Sequence, residues 1–130
     1  MLRMLDTNIC IYLLKGGWKK VSSRFAEFNY GDLLISAVVY GELRAGVELS
    51  ARRDSDEAAL LVLLSDLVIA PFDERAATSF GVLRAQVPLR QRNAMDRLIA
   101  AHALSLDATL VTNNPDDFRA YAGLTLENWV

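Results

Sequence analysis

The chain has 130 residues, enough for one domain that buries roughly two thirds of its unfolded surface, and 52% hydrophobic with 23% charged residues excludes a disordered polymer. A formal net charge of −2 gives no whole-molecule field to draw in nucleic acid, and the lone Cys10 and lone His102 exclude an internal disulfide and a cysteine-based zinc cluster. No run of about eighteen apolar residues exists to span a membrane, and Asp6 arrives too early for a secretory signal, so a cytoplasmic protein is expected.

Leu2 to Leu5 is a short apolar run ending at Asp6-Thr7-Asn8, which predicts a buried strand followed by a polar turn. An apolar pattern resumes from Ile9 to Leu14 and is broken by Gly16-Gly17. A helix is expected over Trp18 to Phe28, with Val21, Phe25 and Phe28 as its apolar stripe. Leu33 to Ile35 is the next strand, and Ser36 stands where an N-cap belongs, ahead of a helix from Ala37 to about Ser50. Arg52 to Asp56 reads as a charged break before a helix through Leu64. Leu67 to Ala70 is a third strand, and Asp73 caps a helix to about Gln86. A loop over Val87 to Arg92 precedes a helix from Asn93 or Ala94 to Leu106, and a strand covers Thr109 to Thr112. Asn114-Pro115 opens a short helix, and Leu124 to Leu126 is a final strand. Short apolar strands alternating with helices predict an α/β domain over residues 1–130 with a parallel sheet covered on both faces.

Parallel sheets of this kind bind ligands beyond the carboxyl ends of their strands. Asp6 falls just past the first strand, and Asn113-Asn114 just past the fourth; the plain structural alternative is that short polar residues suit turns. Glu42 has Val38, Val39, Ala45, Gly46 and Leu49 around it at helical spacing, so it is expected on an apolar face, where an unpaired carboxylate is costly. A buried ion pair is its structural alternative. Asp96 shares a face with Ile99, Ala100 and Ala103, although Asn93 and Asp96 also have cap spacing. Asp117 similarly lies in the helix start that follows Asn114-Pro115.

Two carboxylates about 4 Å apart repel by roughly 4 kcal/mol at an effective dielectric near 20. Three in one cleft therefore ask for a cation, and oxygen-only ligation favours Mg²⁺ or Mn²⁺ over zinc. Arg84, Arg90, Arg92 and Arg97 fall within one short stretch and read either as a phosphate-gripping patch or as a solvated helix face. Cys10 reads as structural and His102 as a packing or hydrogen-bonding residue.

Four blocks now resemble those of VapC-type toxins of the PIN-domain ribonuclease family: Leu5-Asp6-Thr7-Asn8, Tyr40 to Gly46, Asp96 to Leu104 and Leu110 to Phe118. The closing Gly123 to Trp129 resembles the usual ending, so the resemblance spans nearly the whole chain. It implies a three-layer α/β/α domain whose central parallel sheet has four to five strands. Carried over by position, Asp6, Glu42 and Asp96 would be the acidic triad for Mg²⁺ or Mn²⁺. The family's fourth acidic position falls on Asn114, a departure that leaves Asp117 as the expected substitute, ahead of Asp116, with Asn114 reaching the metal through water. Thr7, Asn8, Thr112, Asn113 and Asn114 would orient ligands or water from behind. Arg90-Gln91-Arg92-Asn93 also departs, standing where relatives often carry glycine.

The activity so implied is a toxin endoribonuclease that cuts RNA, such as tRNA, by in-line attack of water and leaves a 5′-phosphate. Implied partners are a second copy of the chain and a VapB-type antitoxin, whose arginine would block the carboxylates and through which alone DNA would be met. The alternative is a catalytically degenerate PIN scaffold that binds protein or RNA. An aspartyl-phosphate enzyme fits poorly, because all three lysines (Lys15, Lys19 and Lys20) precede residue 21 and Asn8 stands where a second acid belongs.

Overall fold

The structure, a computed structural model, describes residues 1–88 and 94–130. Five strands run as β1 (Arg3–Leu5), β2 (Leu33–Ser36), β3 (Val68–Ala70), β4 (Thr109–Val111) and β5 (Leu126–Glu127). The helices are α1 (Thr7–Lys15), α2 (Lys19–Phe25), α3 (Ala37–Glu48), α4 (Arg53–Leu64), α5 (Glu74–Gln86) and α6 (Ala94–Ser105), with a 3₁₀ turn at Pro115–Phe118. All strand pairs are parallel, in the order β3-β2-β1-β4-β5. The chain thus winds one way from β1 to β3 and the other way through β4 and β5. The reversal lies between β1 and β4, the point at which such sheets open a crevice.

The core explains why the short strands form. Met4, Leu5, Ile35, Leu110 and Val111 are buried in the three central strands, and Ile9, Val39, Leu60 and Ile99 pack on them from the helices. Ser36 caps α3 by accepting the Val38 N–H at 3.1 Å, and Asp73 caps α5 by accepting the Ala76 N–H at 3.0 Å, both as expected. His102 is buried and its Nδ1 lies 2.7 Å from Ser36 Oγ, which ties α6 to the start of α3. Cys10 is buried in the core.

The structure first departs from the sequence reading at Thr7-Asn8, expected in a polar turn, which instead opens α1 with Asp6 as its N-cap. Helix α2 stops at Phe25, so Phe28 lies beyond it, where it stacks on Trp129 at 5.6 Å. Helix α4 starts at Arg53, inside the expected charged break, where Asp54 and Asp56 in its first turn suit the positive end of the helix dipole. The last strand is displaced to Leu126–Glu127 by its pairing with Leu110 and Val111. The expected loop over Val87 to Arg92 and the Asn93 cap fall largely outside the described residues.

Candidate functional site

A cleft of about 230 Å³ opens at the reversal point, lined by Asp6, Thr7, Asn8, Glu42, Met95, Asp96, Ile99, Asn113, Asn114 and Asp117. Four carboxylates from four parts of the chain line it, and among the described residues no lysine or arginine does. Asp6 follows β1, Glu42 comes from the middle of α3, Asp96 from the first turn of α6, and Asp117 from the 3₁₀ turn after β4.

Asp6 is held most tightly. Only 8% of it is exposed; Oδ1 accepts the Thr7 N–H at 2.8 Å and Oδ2 accepts the Thr112 hydroxyl at 2.9 Å. Thr112 Oγ in turn accepts the Asn114 N–H at 3.1 Å. Burial pushes the Asp6 carboxyl above its usual range, against the pull of those two hydrogen bonds, and the charge of Asp117 adds to the rise. Asp96 is pushed up to about 6, first by burial and then by the charges of Asp6 and Asp117. On the far wall Asn114 Nδ2 donates to Asp117 Oδ2 at 2.9 Å, and Asn8 Nδ2 donates to Asn113 Oδ1 at 3.3 Å. Asp116 instead pairs with Arg119 and is absent from the cleft lining.

An all-oxygen, net-negative donor set suits a hard divalent cation. Among the described residues no three His, Cys, Asp or Glu side chains yet converge at ligand distance. The carboxylates therefore surround the cleft without forming a finished coordination sphere.

Two expectations need correction. Glu42 is not on the apolar face of α3. That face is Val39, Leu43 and Val47, whereas Ala45 and Gly46 are exposed and Leu49 is 86% exposed, so Glu42 sits at the cleft mouth with its carboxylate open to water. The burial argument for its function fails, and its position on the cleft replaces it. Arg97 is neither a phosphate-gripping nor a solvated residue. It is 0% exposed, because α6 packs along α5, and its guanidinium donates to the Pro88 carbonyl at 2.7 Å. Arg84 is exposed on α5, while Arg90 and Arg92 lie outside the described residues. Met95 and Ile99 were missing from the expected site; their signal was the helical spacing of Ile99 from Asp96 and the adjacency of Met95.

The PIN domain model matches residues 3–124. The chain belongs to the PIN-domain family. Within it, the VapC toxins are its relatives along the whole length. Ribonuclease VapC2 of Rickettsia felis is 36% identical over 137 residues, covering 99% of this chain and 98% of the relative. The tRNA(fMet)-specific endonuclease VapC of Shigella flexneri is 37% identical over 128 residues, covering 97% and 96%. Among solved structures, the DNA-bound VapBC of Salmonella typhimurium superposes with a TM-score of 0.90 at 32% identity, covering all of both chains. VapBC2 of Rickettsia felis, bound to a DNA fragment from its promoter, gives 0.87 at 33% identity, also over both full chains. This PIN-domain chain is thus a VapC-family toxin, homologous to ribonucleases, and its structural neighbours are toxin–antitoxin complexes. No described helix is long and apolar enough to cross a membrane.

Proposed function

We propose that this PIN domain is a metal-dependent endoribonuclease toxin that hydrolyses phosphodiester bonds of a structured RNA, tRNA above all, and thereby inhibits translation. One observation carries the reading: Asp6, Glu42, Asp96 and Asp117 line a single cleft at the sheet's reversal point, with no lysine or arginine beside them among the described residues. Asp6, Asp96 and Glu42 would hold Mg²⁺ or Mn²⁺, joined by Asp117 and, through water, by Asn114. When bound, such an ion polarises a phosphodiester and lowers the pKa of water. Thr112 and the Thr7 N–H fix the Asp6 carboxylate, and Asn114 fixes Asp117, so the oxygens that receive the ion are oriented by the chain. The name of the Shigella flexneri relative supports tRNA as the substrate class.

The proposed partners follow from the neighbours, which are complexes of toxin with antitoxin. An apolar groove lined by Ile11, Leu14, Leu43 and Val47 reaches Glu42 and would receive a VapB-type antitoxin segment beside the acids. DNA would be met through that antitoxin, and a homodimer is the expected state of the toxin.

The test is incubation of partner-free protein with total tRNA and Mg²⁺ or Mn²⁺, beside an Asp6→Asn control and an EDTA control. Discrete fragments with 5′-phosphate ends, present only without EDTA and with Asp6, are expected. Well-folded protein that cleaves with neither metal would favour a second reading, a degenerate scaffold that binds protein or RNA. Asn114 at an acidic position and the unfinished coordination sphere are the observations behind that alternative.

A further inference from the structure

We infer that the turn between α1 and α2 is a docking surface for unpaired nucleotides of the RNA beside the cleaved bond; this rests on the nuclease reading above. The chain's only lysines, Lys15, Lys19 and Lys20, all sit here and are exposed. Among the described residues none of them enters an ion pair, nor do Arg52, Arg75 and Arg84, whereas Arg3, Arg24, Arg44, Arg53 and Arg119 each do. Gly16 and Gly17, at φ of 74° and 88°, take two consecutive left-handed steps that favour glycine. Across that reversal Trp18 stacks on Tyr12, with ring centroids 4.2 Å apart and 18° between the planes, and 37% of Trp18 stays exposed.

The aromatic pair is fixed to the wall of the acid cleft. Tyr12 Oη accepts from Asn113 Nδ2 at 3.1 Å, and Asn113 Oδ1 accepts from Asn8 Nδ2 at 3.3 Å; both asparagines line the cleft. Lys15 lines the groove that shares Glu42 with the cleft. The arrangement answers a problem posed by the acids. A cleft of carboxylates repels the phosphates on either side of the scissile bond, so the strand needs cations close by. An exposed indole offers a stacking face to any base that is itself unstacked, which a duplex interior does not provide. Lysine charges beside an aromatic face therefore select single-stranded RNA, such as a loop, by charge and stacking without reading sequence.

The experiment measures fluorescence anisotropy of a fluorescein-labelled unstructured oligoribonucleotide, and of a blunt RNA duplex, binding to the Asp6→Asn protein. Adding Trp18→Ala is expected to weaken single-strand binding about tenfold and to leave the duplex unaffected, while Trp18→Phe restores most of it. Adding Lys15→Ala, Lys19→Ala and Lys20→Ala together is expected to flatten the salt dependence by about two phosphate contacts' worth, a readout that a folding defect does not produce. In the cleaving protein the same changes should raise KM with kcat nearly unchanged. If the Asp6→Asn parent binds RNA, the protein with Asp6 intact cleaves it, and these variants match the parent in affinity and salt slope, the inference is overturned and the nuclease reading stands. Variants that keep RNA binding but lose a co-purified protein partner would overturn it in favour of a protein-docking surface. An Asp6→Asn parent that does not bind RNA, together with an Asp6-intact protein that does not cleave it, brings down both.

Discussion

Glu48 and Glu42 lie six residues apart on α3 and meet opposite surroundings. Glu48 accepts from Arg44 at 2.8 Å and from Arg53 at 2.8 Å, and Glu57 on α4 accepts from Arg44 at 2.8 Å, closing a four-residue ion network between the helices. Those arginines hold both carboxyls below their usual range. Glu42 instead opens on a cleft where Asp6 and Asp96 are pushed up and, among the described residues, no arginine lines the wall. The difference separates acids that join helices from acids that, under the proposed function, would take their counter-charge from a bound cation. Carboxylates gathered without a described counter-charge cost stability, a cost that the proposed function accounts for.

The largest expected effect comes from the buried end of that contrast. Asp6→Asn should lower RNA cleavage more than about a hundredfold while the circular dichroism spectrum stays that of the folded protein. Cleavage that survives would remove Asp6 from the machinery. Thr112→Val removes the hydroxyl that holds Asp6 Oδ2 and accepts the Asn114 N–H, and should reduce cleavage by about tenfold or more, with Thr112→Ser restoring it.

Stability should move the other way in the cleft. Asp96 ionises in the folded, metal-free protein only near pH 6, above its ordinary value of 3.8. The folded state therefore holds that proton more firmly, and the penalty for the charge sets in as pH rises from about 4 and is complete above about 6. Asp96→Asn should raise the metal-free Tm at pH 7 by about 3–6 °C and bring no gain near pH 4. An unchanged Tm at pH 7 would mean that the cleft is not strained by its own charge. The smallest effect belongs to the network: Arg44→Ala should lower Tm slightly, more at low salt than at high, with RNA cleavage unchanged.

Much of this contrast was legible in the sequence. The strands announced themselves as short apolar runs, Ser36 and Asp73 as caps, and Asp6 by its place directly after the first strand. Glu42 was found for a wrong reason. Ala45, Gly46 and Leu49 suggested an apolar face, yet small or apolar residues also occur on exposed helix surface, and the buried stripe lies one position round. Arg97 was misread because arginine is so seldom buried and because its partner, the Pro88 carbonyl, belongs to a loop that no periodicity describes. The Tyr12–Asn113 contact joins residues 101 positions apart, and nothing local marks either as the other's neighbour.

The bond from Thr112 to Asp6 spans 106 residues and joins the first strand to the fourth. Order in the cleft thus depends on the two ends of the polypeptide finding each other, a late and slow event in folding. A nascent chain carries only Asp6 and Glu42 of the four cleft acids until Asp96 is added, and it gains Thr112 and Asp117 later still. A truncated copy ending before Thr112 therefore has neither the hydroxyl that holds Asp6 nor the Asp117 carboxylate, and under the proposed function such a fragment is expected to leave RNA uncut.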